Sequence, residues 1–135
     1  MGVSTIDIKA RFQQLCKLFG VRDWDIVVAD MQRYDGDTDE YSTLGLCVYD
    51  LKLVVIDRDY AEHGDQDAVL ETVDHEFAHV LAGYDAGHGP QWIWIAEQLG
   101  VNTEVYRRAA KLVERFGLNE YEAVSMALEA ASITT

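Results

Sequence analysis

Two histidines one helical turn apart, in the sequence HEFAH from His75 to His79, restrict the fold of this chain more than any other feature. Residues four apart project from the same face of an α-helix, so both imidazoles can reach one metal ion. Apolar residues around them recur with a period close to 3.6, which predicts an amphipathic helix from about Ala68 to Gly83, with Asp67 as its N-cap. The apolar positions are Val69, Leu70, Val73, Phe77, Val80 and Leu81. Both histidines fall outside that stripe.

A third histidine follows the helix in the glycine-rich segment GYDAGHG. Gly83, Gly87 and Gly89 permit a sharp reversal of the chain, and His88 lies between the last two. After such a reversal, His88 can approach a metal from a direction that the helix cannot offer. A catalytic zinc needs three protein ligands and one open position. We therefore predict that His75, His79 and His88 bind a single Zn²⁺.

Glu76 follows the first histidine directly, which places its carboxylate beside the metal rather than on it. Zinc lowers the pKa of a bound water to about 7, so a nucleophile becomes available near neutral pH. A glutamate at this position can take the proton from that water, as in the H-E-x-x-H pattern of metalloproteases. The sequence thus predicts Glu76 as the catalytic general base.

Two other residues could have belonged to such a site. Glu97 lies eighteen residues after His79, near the spacing at which some zincins take a glutamate ligand from a second helix. If Glu97 bound the zinc, His88 would not be needed as a ligand. The fourth histidine of the chain, His63, precedes the amphipathic helix and is interpreted as a solvated loop residue.

The N-terminal half predicts a helix followed by a small sheet. Apolar residues at helical spacing run from Ser4, a plausible N-cap, to a stop at Gly20. The segment WDIVVAD has the alternation of a strand, and TLGLCVYDLKLVVID predicts two more strands that turn near residues 49–52. A polar loop over residues 31–42 separates them, and its aspartates lack the glycine and the glutamate that a calcium-binding loop requires.

The C-terminal half predicts helices only. Pro90 is suited to the first turn of a helix that Gly100 ends. An amphipathic helix covers residues 104–116, and Asn119 with Glu122 forms the start of a last helix, in the pattern of a capping box. The expected class is α+β: an N-terminal helix, an antiparallel sheet of about three strands, the histidine-bearing helix and C-terminal helices.

The net charge and the hydropathy of the chain argue against some classes of binding partner. The chain of 135 residues has 11 basic and 24 acidic side chains, a net charge of −13. Such a surface repels phosphate groups, which argues against direct binding to nucleic acid or to anionic membranes. The sequence has no apolar run of about 18 residues and no apolar signal-peptide core. We expect a cytoplasmic protein, with Cys16 and Cys47 as buried thiols.

The two histidine motifs together resemble a known family. HEFAH followed by HGPQW is similar to the SprT-like zinc metallopeptidases, which include the Spartan proteases and share HExxH, a variable turn, then HG, two residues and a large aromatic. The matching positions are His75, Glu76, His79, His88, Gly89 and Trp92. The resemblance implies a zincin-like fold, one zinc ion and hydrolysis of peptide bonds in protein substrates. It implies a single domain over residues 1–135, with a catalytic core at about 5–100 and a helical extension at 104–132.

The leading hypothesis is therefore a zinc-dependent metalloendopeptidase. A second hypothesis is a zinc-binding interaction module, an adaptor or an inhibitor, that uses the same scaffold without turnover. Glu76 favours the enzyme, because a purely structural zinc site has no need of a base. A third is hydrolysis of a non-peptide amide.

Overall fold

The structure is a computed structural model that describes residues 2–31 and 44–134. Most of the polar loop expected over residues 31–42 lies outside these ranges. The helices are α1 Thr5–Phe19, α2 Arg58–His63, α3 Gln66–Ala82, α4 Pro90–Gln98, α5 Glu104–Phe116 and α6 Glu120–Thr134. The strands are β1 Asp25–Ala29, β2 Gly45–Val48 and β3 Leu53–Asp57. The predicted α+β class is confirmed.

The three strands form one mixed sheet in the order β1-β3-β2. A short 3₁₀ turn, Tyr49–Leu51, joins β2 to β3, and these two strands are antiparallel as expected. β1, however, pairs with β3 in parallel, so the expectation of a fully antiparallel sheet is wrong at this pair. Side chains alternate with a period of two in both kinds of pairing, so the pattern of β1 could not give its direction.

The ends of the helices follow from local hydrogen bonding. Ser4 caps α1 by accepting from the backbone N–H of Asp7 at 3.1 Å. The histidine-bearing helix α3 begins two residues before the predicted start, because Asp65 rather than Asp67 is its N-cap. The Asp65 carboxylate accepts from the N–H of Ala68 at 3.1 Å. A cap must reach the N–H two or three residues ahead, and either aspartate had the right side chain.

Packing between α1 and α3 fixes which face of α3 is buried. The rings of Phe12 and Phe77 meet edge to face with their centroids 5.8 Å apart, inside the main core over the sheet. Beside them, the Arg11 guanidinium donates two hydrogen bonds of 2.8 Å to the two carboxylate oxygens of Asp74. Asp74 directly precedes His75, so this ion pair holds the α3 backbone next to the predicted site.

The C-terminal helices form a hairpin with a core of its own. Residues of α5 and α6 make up this cluster, namely Ala109, Ala123, Val124 and Ala127. The predicted capping box at the start of α6 is confirmed. Asn119 accepts from the N–H of Glu122 at 2.8 Å, and Glu122 accepts from the N–H of Asn119 at 3.3 Å. Tyr106 packs against this cluster and also against the cluster around Trp92.

The described helices and the two cysteines bear on the expectations of no membrane span and of buried thiols. Over residues 2–31 and 44–134, no helix is long and apolar enough to cross a membrane. Cys16 and Cys47 are free thiols, each partly rather than fully buried. Burial raises the pKa of the Cys47 thiol to about 12, so it stays protonated and unreactive near neutral pH.

Candidate metal centre

Three imidazole nitrogens converge at the C-terminal half of α3. The Nε2 atom of His88 lies 3.0 Å from Nε2 of His79 and 3.2 Å from Nε2 of His75. Potential ligand atoms of all three residues lie within 4.8 Å of one another, and no second group of this kind occurs in the described part of the chain. His88 reaches the others because the chain reverses after α3 at Gly83 and Gly87, both with positive φ. The structure therefore brings together the three residues predicted as ligands.

The spacing of these nitrogens suits a tetrahedral metal ion. Ligands 2.0–2.1 Å from a tetrahedral zinc lie about 3.3 Å from each other. The separations of 3.0 and 3.2 Å are within a few tenths of an ångström of that value. Three lone pairs at such distances repel one another unless a cation or shared protons lie among them. The three histidines could hold a metal ion, and imidazole donors are those that zinc and its neighbours in the transition series accept.

Burial keeps the histidines in the form that binds metal. It is the largest cause that lowers the pKa of His75 well below its ordinary value, and the nearby His79 and His88 lower it further. Burial and His88 lower the pKa of His79 to about 3. Both imidazoles are therefore neutral at physiological pH, and a neutral imidazole has the free lone pair that a metal needs.

Three hydrogen bonds from outside the cluster hold the histidines in place. His88 donates from Nδ1 to the carboxylate of Glu120, at the start of α6. The Tyr49 hydroxyl donates to the backbone carbonyl of His79 at 3.2 Å. The Trp92 indole donates to the carbonyl of His75 at 3.3 Å. No motif in the sequence marks Glu120 or Tyr49 as part of the site, and both are distant from the histidines along the chain.

Aromatic rings enclose the cluster on two sides. Trp92 is fully buried, and its ring stacks on His79 at 5.3 Å between centroids. Trp92 therefore lies against the histidines from the buried side. Tyr106 of α5 stacks on His88 at 4.3 Å, with an interplanar angle of 25°. The two rings also contact each other, so they form one apolar wall that limits the access of water to the histidines.

Glu76 lies beside the histidines and is almost completely shielded from solvent. Its Oε2 is 3.9 Å from Nε2 of His75, close to the cluster but not part of it. Burial raises the pKa of its carboxyl group to about 8. Gly45 of β2 packs directly against it, since a Cβ atom there would lie 3.1 Å from Oε2. The carboxyl group therefore sits between the histidines and the edge of the sheet.

The two alternative site residues lie elsewhere. Glu97 accepts hydrogen bonds from the Thr103 hydroxyl and from Arg107, and these interactions lower the pKa of its carboxyl group. It is not among the residues of the histidine cluster, so the geometry favours His88 over Glu97 as the third candidate ligand. His63 is exposed, as expected, although it is the last residue of α2 rather than part of a loop.

An open cleft of about 320 Å³ lies over the cluster. Its floor is formed by the three histidines and Glu76, and strand β2 forms one wall. Tyr84 and Tyr106 line the cleft as well. β2 is an edge strand, because its only partner among the described strands is β3. A ligand in the cleft would therefore lie beside both β2 and the histidines.

Comparison with known protein families agrees with this geometry. A model of the SprT-like family matches residues 31–114, which is more than half of the chain. The chain belongs to the SprT-like family. The match includes β2, the three histidines, Glu76 and Tyr106, and it ends before Glu120. No curated protein and no solved structure matches the chain. Membership identifies a metallopeptidase-like, metal-binding domain, in keeping with the three clustered histidines.

Proposed function

We propose that this protein is a zinc-dependent endopeptidase that hydrolyses peptide bonds of protein substrates. The observation that carries the proposal is the convergence of three Nε2 atoms beside a buried glutamate, at the floor of an open cleft. His75, His79 and His88 would hold the zinc, leaving its fourth position to the cleft. When bound, zinc would supply a Lewis acid that polarises the scissile carbonyl and activates the attacking water.

Glu76 is the residue proposed to move the proton. Glu76 lines the cleft, and its carboxylate Oε2 lies 3.9 Å from Nε2 of His75. In the metal-free protein, burial raises the pKa of this carboxyl group to about 8, which shows that its surroundings favour the protonated form. Glu76 would take a proton from the attacking water and then deliver it to the amine that leaves.

Strand β2 is the proposed site for the substrate backbone. Residues Leu44 to Cys47 line the cleft, and the outer edge of β2 has no partner strand within the described ranges. An extended peptide can add to such an edge through main-chain hydrogen bonds, which recognise a backbone rather than a particular sequence. This arrangement would place a scissile bond near Glu76, because Gly45 of β2 contacts that residue.

Metal content and Glu76-dependent cleavage together test the proposal. Purified protein should contain about one zinc per chain, as a single three-ligand site predicts. The zinc-loaded protein should cleave an unfolded protein such as casein, and Glu76→Gln should abolish cleavage while the zinc content stays the same. Glu129→Gln removes an exposed carboxylate from α6 and should change neither property.

Each part of this experiment has an outcome that contradicts the proposal. Cleavage at the wild-type rate by Glu76→Gln would show that Glu76 is not the base. A wild-type protein that holds zinc but cleaves no protein or peptide would instead support the zinc-binding interaction module, an adaptor or inhibitor without turnover.

A further inference from the structure

We propose that Glu120 is a positioning residue for His88, and that the α5–α6 hairpin thereby belongs to the metal centre. This inference rests on the proposed role of His88 as a ligand. The hairpin comprises residues 104–134 and includes the segment 104–132 that was expected to be an extension outside the catalytic core. Glu120 also lies beyond the segment that matches the SprT-like family, so the motifs of the family do not assign it.

Glu120 holds His88 at two points. One carboxylate oxygen accepts from Nδ1 of the imidazole, and the other accepts from the backbone N–H of His88 at 3.4 Å. The first contact fixes the rotation of the ring, and the second fixes the backbone that carries it. A carboxylate that holds a ligand histidine in this way is a common partner of zinc sites.

The contact also determines which ring nitrogen is free. Because the carboxylate can only accept, Nδ1 of His88 must carry the proton. Nε2 is then unprotonated, and it is the atom that lies 3.0 Å from His79 and 3.2 Å from His75. Without Glu120, the ring could rotate or the proton could move to Nε2, and either change would remove the lone pair from the cluster.

The backbone at residue 87 is shaped to admit this carboxylate. A Cβ atom at Gly87 would lie 2.6 Å from Oε1 of Glu120, closer than van der Waals contact permits. Gly87 also has a φ of +52° and a ψ of −136°, a combination that residues with a side chain rarely adopt. The turn that presents His88 therefore has both the space and the conformation needed for Glu120.

Direct side-chain contacts join the hairpin to the histidines. Its own core cluster of Ala109, Ala123, Val124 and Ala127 is separate from the core under α3. Tyr106 of the hairpin stacks on His88, and Glu120 accepts a hydrogen bond from it. Docking of the hairpin and metal binding are therefore coupled, and the coupling must act equally in both directions.

Zinc affinity, measured by competition with a chromophoric chelator, tests this inference without any need for peptidase activity. Glu120→Ala should weaken zinc binding about 10- to 100-fold, the usual effect of removing such a partner. Glu120→Gln keeps an acceptor oxygen and should lose only a few-fold. Glu129→Gln, which removes the same charge about 13 Å further along α6, should bind like the wild type.

Two further readouts separate positioning from a general loss of structure. In the cobalt-substituted protein, Glu120→Ala should change the visible absorption bands of the metal, whereas Glu129→Gln should not. In the wild type, zinc should slow amide hydrogen exchange in α6, and Glu120→Ala should reduce that protection. Circular dichroism shows whether each variant is folded, and Glu120→Gln keeps the test valid if the alanine variant is not.

The backbone at Gly87 provides an independent variant. Gly87→Ala should weaken zinc binding by displacing the Glu120 carboxylate. Gly20→Ala introduces a side chain at another positive φ, +69°, at the end of α1 where nothing lies within 4 Å, and it serves as the control for backbone strain. Weaker binding only in Gly87→Ala supports the inference, and equal loss in both contradicts it.

The outcomes distinguish the two proposals. If the wild type binds zinc tightly and Glu120→Ala binds it within twofold, the role of Glu120 is refuted and the proposed function is unaffected. If the wild type binds zinc, Glu120→Ala binds it weakly and no cleavage is found, the positioning role stands and the endopeptidase proposal fails. If the wild type binds no zinc, both are refuted.

Discussion

The indole nitrogen of Trp92 donates a hydrogen bond of 3.3 Å to the backbone carbonyl of His75. This bond joins the first turn of α4 to the middle of α3, at the residue that begins the HEFAH motif. The Trp92 ring also contacts the rings of His75, His79 and His88, with centroids 4.7 to 5.3 Å away. A single buried side chain thus contacts all three proposed ligands.

Trp92→Phe should lower both stability and zinc affinity. The smaller ring leaves a cavity and removes the bond to the His75 carbonyl, and we expect a loss of about 1–3 kcal/mol in the free energy of unfolding. Trp94→Phe, in the same helix but 64% exposed, should change it by less than about 0.5 kcal/mol. Urea unfolding of the zinc-free proteins gives the change in the free energy of unfolding for each of the two variants. Equal effects at the two positions would show that Trp92 has no special role beneath the site.

Gly45→Ala should reduce cleavage without reducing zinc affinity. The new methyl group would lie 2.9 Å from Cγ2 of Thr72 and 3.1 Å from Oε2 of Glu76, so it should displace the proposed base. We expect kcat to fall at least about tenfold, because a small misplacement of a catalytic group is costly. The double variant Gly45→Ala/Thr72→Ser removes the Thr72 methyl. Full recovery of kcat in the double variant would trace the defect to Thr72 and not to Glu76.

The stability of the zinc-free protein should depend on pH through Glu76. Its folded pKa of about 8 is raised above the ordinary 4.5, so its stabilising effect is complete below about pH 4.5 and is lost as pH rises through about 8. Glutamine cannot ionise. Relative to the wild type, Glu76→Gln should therefore gain on the order of 1–3 kcal/mol between about pH 5 and pH 9. Denaturant unfolding with a chelator present measures the difference, and a difference that does not change with pH would contradict the burial of this carboxyl group.

Zinc should stabilise the folded protein, and removing it should lower Tm. A ligand that binds only the folded state at 100 times its Kd adds about 2.7 kcal/mol. His88→Ala should lose most of this zinc-dependent rise in Tm. His63→Ala is the control, since His63 is exposed and outside the cluster, and it should keep the full rise. Thermal unfolding with zinc and with chelator provides the comparison, and an undiminished rise in His88→Ala would remove His88 from the ligand set.

The sequence alone predicted the features that depend on residues close together in the chain. The helix bearing His75 and His79 follows from a period of 3.6, and the turn to His88 follows from its glycines. The cap at Ser4 and the capping box of Asn119 and Glu122 are likewise local, and the structure contains both. Such features are predictable because the interacting groups are at most a few residues apart.

The tertiary structure decided the relationships between distant segments. The sequence could not show that β1 runs parallel to β3, because both pairings have the same alternation of side chains. Nor could it show that Glu120 binds His88, thirty-two residues away, since no pattern of spacing links two helices that meet only after folding. The sequence thus determined which residues can bind a metal, while the packing of the C-terminal hairpin decided how His88 is held.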